Sequence, residues 1–178
     1  MKEAAGPLAI EFANTRYAVR GREREGLETP HALSTWLREH SLPADAGESD
    51  LPAFIGLRDA IRALLHATAE GEPLPTGAVD VVNDASARAA RAPLLADSDG
   101  GWGVIELSAA DPLDQARGTV ARGAVLLIGG DQRQDVRACH APGCVQYFVK
   151  DHPRREWCST SCGNRARVAR HYSKQRER

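Results

Sequence analysis

The sequence predicts an α+β protein: a mainly helical N-terminal domain with a small antiparallel sheet, followed by a small C-terminal module organised by cysteines. Apolar residues recur at helical spacing in several segments between residues 29 and 130. A short turn rich in Gly and Asp joins two brief apolar runs, which is a hairpin signal. All four cysteines lie between Cys139 and Cys162, and the first 138 residues contain none. A chain of 178 residues suits one domain of about 130 residues plus a small appendage. With 42% hydrophobic and 26% charged residues the composition is that of a soluble globular protein, and no apolar run approaches membrane-spanning length.

In chain order, Leu8 to Phe12 alternates weakly and reads as a short strand entering a turn at Asn14-Thr15. Tyr17 to Glu28 is charged and contains glycine, so it is expected to be an exposed loop. Thr29-Pro30 is a helix start, a cap followed by proline in the first turn, and Leu33, Trp36 and Leu37 follow as a core stripe. Pro43 to Asp50 is a linker. The clearest helix runs from Asp50-Leu51-Pro52 to Gly71, with Phe54, Leu57, Ile61, Leu64 and Leu65 on one face. Asp59 and Arg62 fall away from that face and Arg58 at its edge. Thr76 caps a further helix with Val79, Val82 and Ala89 inward, ending before Pro93. Leu94 to Ala96 and Trp102 to Leu107 form the hairpin around Asp97-Ser98-Asp99-Gly100-Gly101. Asp111-Pro112 starts the last helix of the body, carrying Leu113, Ala116, Val120, Leu127 and Ile128, and Gly129-Gly130 ends it. Gly118 and Gly123 inside that helix each cost about 1 kcal/mol against Ala, which implies close packing against a neighbour.

The cysteines come as two close pairs, Cys139-His140-Ala141-Pro142-Gly143-Cys144 and Cys158-Ser159-Thr160-Ser161-Cys162, separated by a spacer of hairpin length. Each pair offers two thiolates from one tight turn, and the spacer brings the second pair round to complete a tetrahedron, the arrangement of a Cys₄ Zn²⁺ site. Gly143 supplies the positive φ that lets nearby amides face sulfur. Two disulfides are the alternative, but Met1 to Pro7 lacks the apolar core of a signal peptide, and reduced cytoplasmic thiols favour metal. His140, His152 and His171 are substitute ligands of lower rank. Four protein ligands close the site, so its role is structural, with no open position for water chemistry. Cys162 leads into a helix, and knuckle, hairpin and ligand-bearing helix together give a treble-clef-like zinc finger.

Cys162-Gly163-Asn164-Arg165, preceded by Arg154-Arg155-Glu156-Trp157-Cys158-Ser159, resembles the CGNR zinc finger of bacterial proteins. Leu8-Ala9-Ile10-Glu11-Phe12-Ala13-Asn14-Thr15 is similar to the opening motif of the ABATE domain that precedes that finger. The resemblance spans essentially the whole chain, dividing it into an ABATE-like domain over 1–132 and the finger with its basic helix over 133–178. It implies a family described as putative stress-induced transcription regulators. Glu156 departs from the family's pattern, in which arginine runs straight into tryptophan.

The formal net charge of −1 conceals an asymmetry: residues 131–178 hold 11 Lys/Arg against 5 Asp/Glu, and the rest 12 against 19. An acidic body with a basic tail points to nucleic-acid contact at the tail. On a helix at about 100° per residue, Arg167, Arg170, Lys174 and Arg178 form one outward stripe with His171 beside it. Lys150, Arg154 and Arg155 extend it, joined by His152, in a pattern suited to phosphates or a major groove. Arg165, Ala169 and Tyr172 lie opposite, near Cys162 and Val168, and are expected to face the zinc hairpin. Arg165 then braces the finger through carbonyls or a carboxylate of the body, Asn164 bonds backbone near the knuckle, and Trp157 packs over the metal.

No catalytic constellation is present: no phosphate-cradling Gly loop, no nucleophile elbow, no His-Glu-x-x-His. His31, His40 and His66 read as surface or helix-face residues. Glu11, Asn14, Thr15 and Arg16 form a polar cluster that is either a small-molecule pocket or, as the simpler reading, a turn whose side chains cap backbone. The expectation is a cytoplasmic bacterial transcription regulator rather than an enzyme. DNA is contacted through the finger and basic helix, and the N-terminal domain senses a small-molecule effector or forms a homodimer, with no membrane partner. The alternative is a zinc-stabilised protein-interaction module without DNA binding.

Overall fold

A computed structural model describes residues 7–42, 44–98 and 100–176. Met1 to Gly6, Pro43 of the linker, Asp99 of the hairpin turn, Glu177, and Arg178 at the end of the basic stripe lie outside the described residues. The described chain has six α-helices and three two-stranded antiparallel sheets. The class is α+β with a C-terminal cysteine cluster, as the periodicities and cysteine spacing require.

The first element corrects the sequence reading. Leu8–Ala13 is helix α1, not a strand. A six-residue segment with five apolar residues and one glutamate carries too little period to separate the two. Here Ala9, Ile10, Phe12 and Ala13 are all buried, which a helix achieves by packing at the centre of the bundle. Phe12 meets Trp36 at a ring-centroid distance of 4.9 Å and Phe54 at 6.3 Å. The supposed loop is also regular: β1 (Arg16–Val19) and β2 (Arg22–Glu25) pair as a hairpin. Its turn places Arg20 at φ 51° and Gly21 at φ 77°, the double left-handed conformation of the hairpin turn that matches strand twist.

Helix α2 (Pro30–Glu39) begins as read, with the Thr29 side chain accepting from the Ala32 amide, and buries Leu33 and Leu37 while Trp36 is half-buried. Helix α3 (Leu51–Glu70) ends at Gly71 in the left-handed cap conformation and buries Phe54, Leu57, Ile61, Leu64 and Leu65. Arg58 departs from expectation: it is 1% exposed, held under the β1–β2 hairpin by ion pairs to Glu25 and, at 3.1 Å, to Asp59. Arg62 does not lie away from the packing either. It donates to the carbonyls of Ala13 and Val145, each at 2.9 Å.

Helix α4 (Thr76–Arg88) starts at Thr76 itself, with Pro75 in the cap position and no side-chain cap, and buries Val82 and Ala85. The predicted hairpin is present and longer than its apolar runs, β3 (Ala92–Ser98) with β4 (Gly101–Leu107). In α5 (Pro112–Gly129) the Asp111 carboxylate accepts from the amides of Leu113 and Asp114. Of its two internal glycines only Gly118 is constrained: a Cβ there would sit 2.1 Å from the Ala89 Cβ and 3.0 Å from the Ala85 carbonyl, whereas at Gly123 it would make ordinary contact with Ala9. Gly118→Ala is therefore expected to destabilise by about 1–3 kcal/mol through overpacking of α4 on α5, despite better helix propensity. Gly56→Ala, where a Cβ meets nothing within 4 Å, gains up to about 1 kcal/mol. Urea midpoints of the two variants against wild type check the contrast.

The last part consists of β5 (Val136–Ala138) paired with β6 (Tyr147–Val149), then α6 (Thr160–Arg176). Strand alternation sends neighbouring side chains of β6 to opposite sides. Tyr147, with Val136, joins the core of the body, and Phe148 joins a second cluster around the cysteines. Among the described residues no helix is long and apolar enough to cross a membrane.

Candidate metal centre

Two turns and one helix deliver the four thiols. Cys139 follows β5, its amide donating to the Gln146 carbonyl at 2.8 Å, and Cys144 closes a tight turn through its amide to the Ala141 carbonyl at 2.9 Å. Gly143 takes φ 69° in that turn, and a Cβ on it would come within 2.8 Å of the Gly21 Cα, so the knuckle presses directly against the tip of the β1–β2 hairpin. Cys158 lies just before α6, and Cys162 lies in its first turn with its amide donating to the Ser159 hydroxyl at 3.3 Å.

The Sγ atoms of Cys139, Cys144, Cys158 and Cys162 all lie within 4.8 Å of one another. Cys144 to Cys158 and Cys144 to Cys162 are each 3.8 Å apart, and Cys158 to Cys162 is 3.4 Å. A tetrahedron with sulfur about 2.3 Å from a central zinc has edges of about 3.8 Å. A disulfide needs about 2.05 Å, and all four cysteines are free. The electrostatics agree. Thiol donation from Cys144, then Cys158, drives the Cys139 thiol far down, while the Cys139 thiolate, followed by Cys144, pushes Cys158 far up. Four sulfurs this close cannot all ionise without a cation among them, and a divalent soft-tolerant ion supplies it. The four cysteines are placed to bind one metal ion, consistent with Zn²⁺.

The surrounding residues differ in role from one another. Arg165 donates from Nη2 to Cys162 Sγ at 3.2 Å; it bears on the metal centre itself, not on a carbonyl or carboxylate of the body. Asn164 does not reach backbone near the knuckle: it is exposed, and its Oδ1 accepts from Arg167. Trp157 packs over the cluster, its ring 3.1 Å from where a Cβ on Gly163 would stand. This contact sets the face of α6. Cys162, Gly163 and Ala166 are buried, Ala169 is half-buried, and Val168 and Tyr172 are 54% and 62% exposed. The inward placement of Tyr172 and Val168 is thus corrected, because the hairpin supports only the first turns and the helix continues beyond it.

Arg167, Arg170, Lys174 and His171 are exposed. Arg154, Arg155 and Arg167 line one cleft of about 340 Å³, together with Trp157 and Gly163. Arg155 is committed internally: it donates to Asp151 at 2.9 Å and to the carbonyls of Trp157 and Cys158, and its guanidinium lies 5.2 Å over the Phe148 ring. Lys150 is half-buried at the end of β6 and is not among the residues lining the cleft; His152 accepts from the Arg154 amide at 3.1 Å.

In the polar cluster near the N-terminus, Asn14 joins the body to the finger, and Glu11, Thr15 and Arg16 bond within the body. Asn14 donates to the Tyr147 carbonyl and accepts from the Tyr147 amide, both at 2.9 Å, as a neighbouring strand would. Thr15 donates to the Phe12 carbonyl at 2.7 Å, Arg16 pairs with Glu23, and Glu11 pairs with His40 at 2.8 Å. Arg20 and Arg22, expected in an exposed loop, are exposed at the hairpin tip that touches the knuckle. The Gly in Arg20-Gly21-Arg22 was the available turn signal.

No curated protein matches the chain significantly. Residues 136–175 match the model of the CGNR zinc finger, and residues 6–131 match the ABATE model, described as "putative stress-induced transcription regulator". Both descriptions are of regulator and zinc-finger types. The chain therefore belongs to the ABATE family and carries a CGNR zinc finger at its C-terminal end.

Proposed function

We propose that this protein is a cytoplasmic regulator that contacts DNA through the zinc finger and α6. In this reading the body over 1–132 senses an effector or brings two copies together, and the finger over 133–178 is the contact module. Zn²⁺ held by Cys139, Cys144, Cys158 and Cys162 has a structural role, fixing the first turn of α6 against the hairpin. The chain's own residues do the recognition. The observation that carries the reading is that Arg154, Arg170 and Lys174 are exposed with no carboxylate at ion-pair distance among the described residues. Arg154 and Arg167 share a cleft, and Arg20 and Arg22 stand beside the knuckle. Free cations on a helix continuing past its support suit phosphate oxygens, and each phosphate neutralised releases counterions.

Fluorescence anisotropy with mixed-sequence duplex DNA across a salt series tests this. Zinc-loaded protein is expected to bind with an affinity that falls steeply with salt. Arg170→Glu is expected to weaken binding uniformly and to reduce the log–log salt slope by about 1, with unchanged stability. Arg165→Ala, which removes a donor to Cys162, lowers finger stability instead. Absent or salt-insensitive binding by folded, zinc-loaded protein transfers the assignment to a protein-interaction module meeting an acidic partner.

A further inference from the structure

The β1–β2 hairpin sorts its charges by face. Residues paired across an antiparallel ladder point to the same side. The register therefore sets Arg16 with Glu25 and Ala18 with Glu23 on one face, and Tyr17 with Arg24 and Val19 with Arg22 on the other. The first face is turned to the body: Glu25 holds the buried Arg58, and Glu23 pairs with Arg16 at 2.7 Å. Both carboxylates of the hairpin are thereby engaged. The opposite face is open, with Tyr17 38% and Val19 46% exposed and Arg22 and Arg24 exposed beside them. Arg20, in the turn, is exposed as well. Among the described residues no carboxylate lies at ion-pair distance from Arg20, Arg22 or Arg24. The first 130 residues are acidic, with 12 Lys/Arg against 19 Asp/Glu, yet the stretch from Arg16 to Arg24 holds four of those arginines against one glutamate.

We propose, resting on the DNA-contact reading above, that this hairpin is a second DNA-contacting element, so that the body as well as the finger meets the duplex. It is a basic two-stranded ribbon that lays its outer face along the DNA next to the finger. The ribbon is tied to the metal centre at its tip, where a Cβ on Gly143 would come within 2.8 Å of the Gly21 Cα. Cys144 follows Gly143 directly, and its Sγ is 3.8 Å from that of Cys162 in the first turn of α6. One knuckle therefore separates the ribbon tip from the start of the basic helix. The root of the ribbon is tied to the same knuckle by Arg62, which bridges the Ala13 and Val145 carbonyls. Contact by one element thus places the other at the duplex without a further ordering cost. The chemistry and size fit. Guanidinium groups donate bidentately to phosphate oxygens, and a major groove about 12 Å wide admits a two-stranded ribbon. The occupant is duplex and not single-stranded DNA, because Tyr17 is the one aromatic residue of the two strands, whereas unpaired bases need successive rings to stack on.

Anisotropy titration of a mixed-sequence duplex with the zinc-loaded full chain, repeated across a salt series, is the test. The double variant Arg22→Gln, Arg24→Gln removes two charges from the outer face. It is expected to weaken binding by more than about 10-fold at about 0.1 M salt and to reduce the log–log salt slope by about 2. Its zinc content and urea midpoint should match wild type, because both side chains are exposed and unpaired among the described residues. The double variant Arg91→Gln, Arg122→Gln changes the net charge equally, at exposed positions in the cleft where α4 meets α5. It is expected to leave affinity and slope unaltered. If wild type binds duplex and the Arg22, Arg24 double variant keeps both its affinity and its slope, the proposal is overturned and contact is confined to the finger. Equal losses in the two double variants overturn it too, by showing an effect of overall charge. So does tighter binding to single-stranded DNA than to duplex. Wild type that binds no DNA at all ends the DNA-contact reading itself, and the ribbon's role with it.

Discussion

Replacing Cys144 with serine is expected to strip the protein of its zinc and release α6, while the five helices of the body stay folded. The argument rests on what holds each element. β5 and β6 are anchored independently of the metal, because Val136 and Tyr147 are part of the body core and Asn14 bonds both backbone groups of Tyr147. Helix α6 has no such anchor. Its buried residues are Cys162, Gly163 and Ala166, and their surroundings are the small cluster of Cys139, Ala141, Phe148 and Trp157 about the thiols. A 17-residue helix with so narrow an apolar contact is marginal without tertiary support. Structural zinc contributes on the order of 10 kcal/mol to folding of such a site, and losing one thiolate is expected to weaken zinc affinity by more than about 100-fold. Zinc content should fall from one per chain toward zero, the 222-nm ellipticity should drop by roughly the share of α6, and protease should cleave first between Cys158 and Arg176. Full zinc content in Cys144→Ser would rule out the four-cysteine ligand set. Loss of all helicity would show that the body depends on the metal as well.

The parts legible in the sequence were those whose cause is local. Helices α2 and α5 declare themselves by a capping side chain and a proline in the first turn, at Thr29-Pro30 and Asp111-Pro112. The metal cluster is legible because thiolate chemistry demands spacing that few other arrangements share. Helix α1 was not legible, because six residues, five apolar and one glutamate, are too few to set a period. The β1–β2 hairpin was hidden by charge, since its strands are stabilised less by burial than by pairing and by contact of Gly21 with the knuckle. The facing of α6 was misjudged because the hairpin ends before the helix does. The role of Asn14 lay beyond any local rule: its partner, Tyr147, is 133 residues away.

Glu25→Gln is expected to destabilise the body by about 2–3 kcal/mol, below the roughly 3–5 kcal/mol for one partner of a fully buried ion pair, because Glu25 keeps some access to water. The Arg58 side chain is 2% exposed, and that of Glu25 31%. Glu25 closes β2 by accepting from Arg58 and, at 2.8 Å, from the Leu27 amide. Glutamine preserves the shape but leaves the guanidinium with Asp59 alone, at 3.1 Å and half in solvent. The effect has a pH signature. Burial pushes the Glu25 carboxyl up, but the Arg58 hydrogen bond, the Leu27 amide and the charges of Arg58 and Arg16 outweigh it, and its net pKa lies below the usual carboxylate range. The unfolded chain therefore takes up that proton at higher pH than the folded one. The stability from the ionised group is full above about pH 5 and is lost as pH falls through the lowered value in the folded state. Urea midpoints of wild type and Glu25→Gln should differ by a constant amount from neutral pH to about pH 5 and converge in acid. A difference that persists undiminished at pH 3 would mean that the carboxylate's charge is not what holds Arg58. The pair would then act through the shape of the β2 end alone.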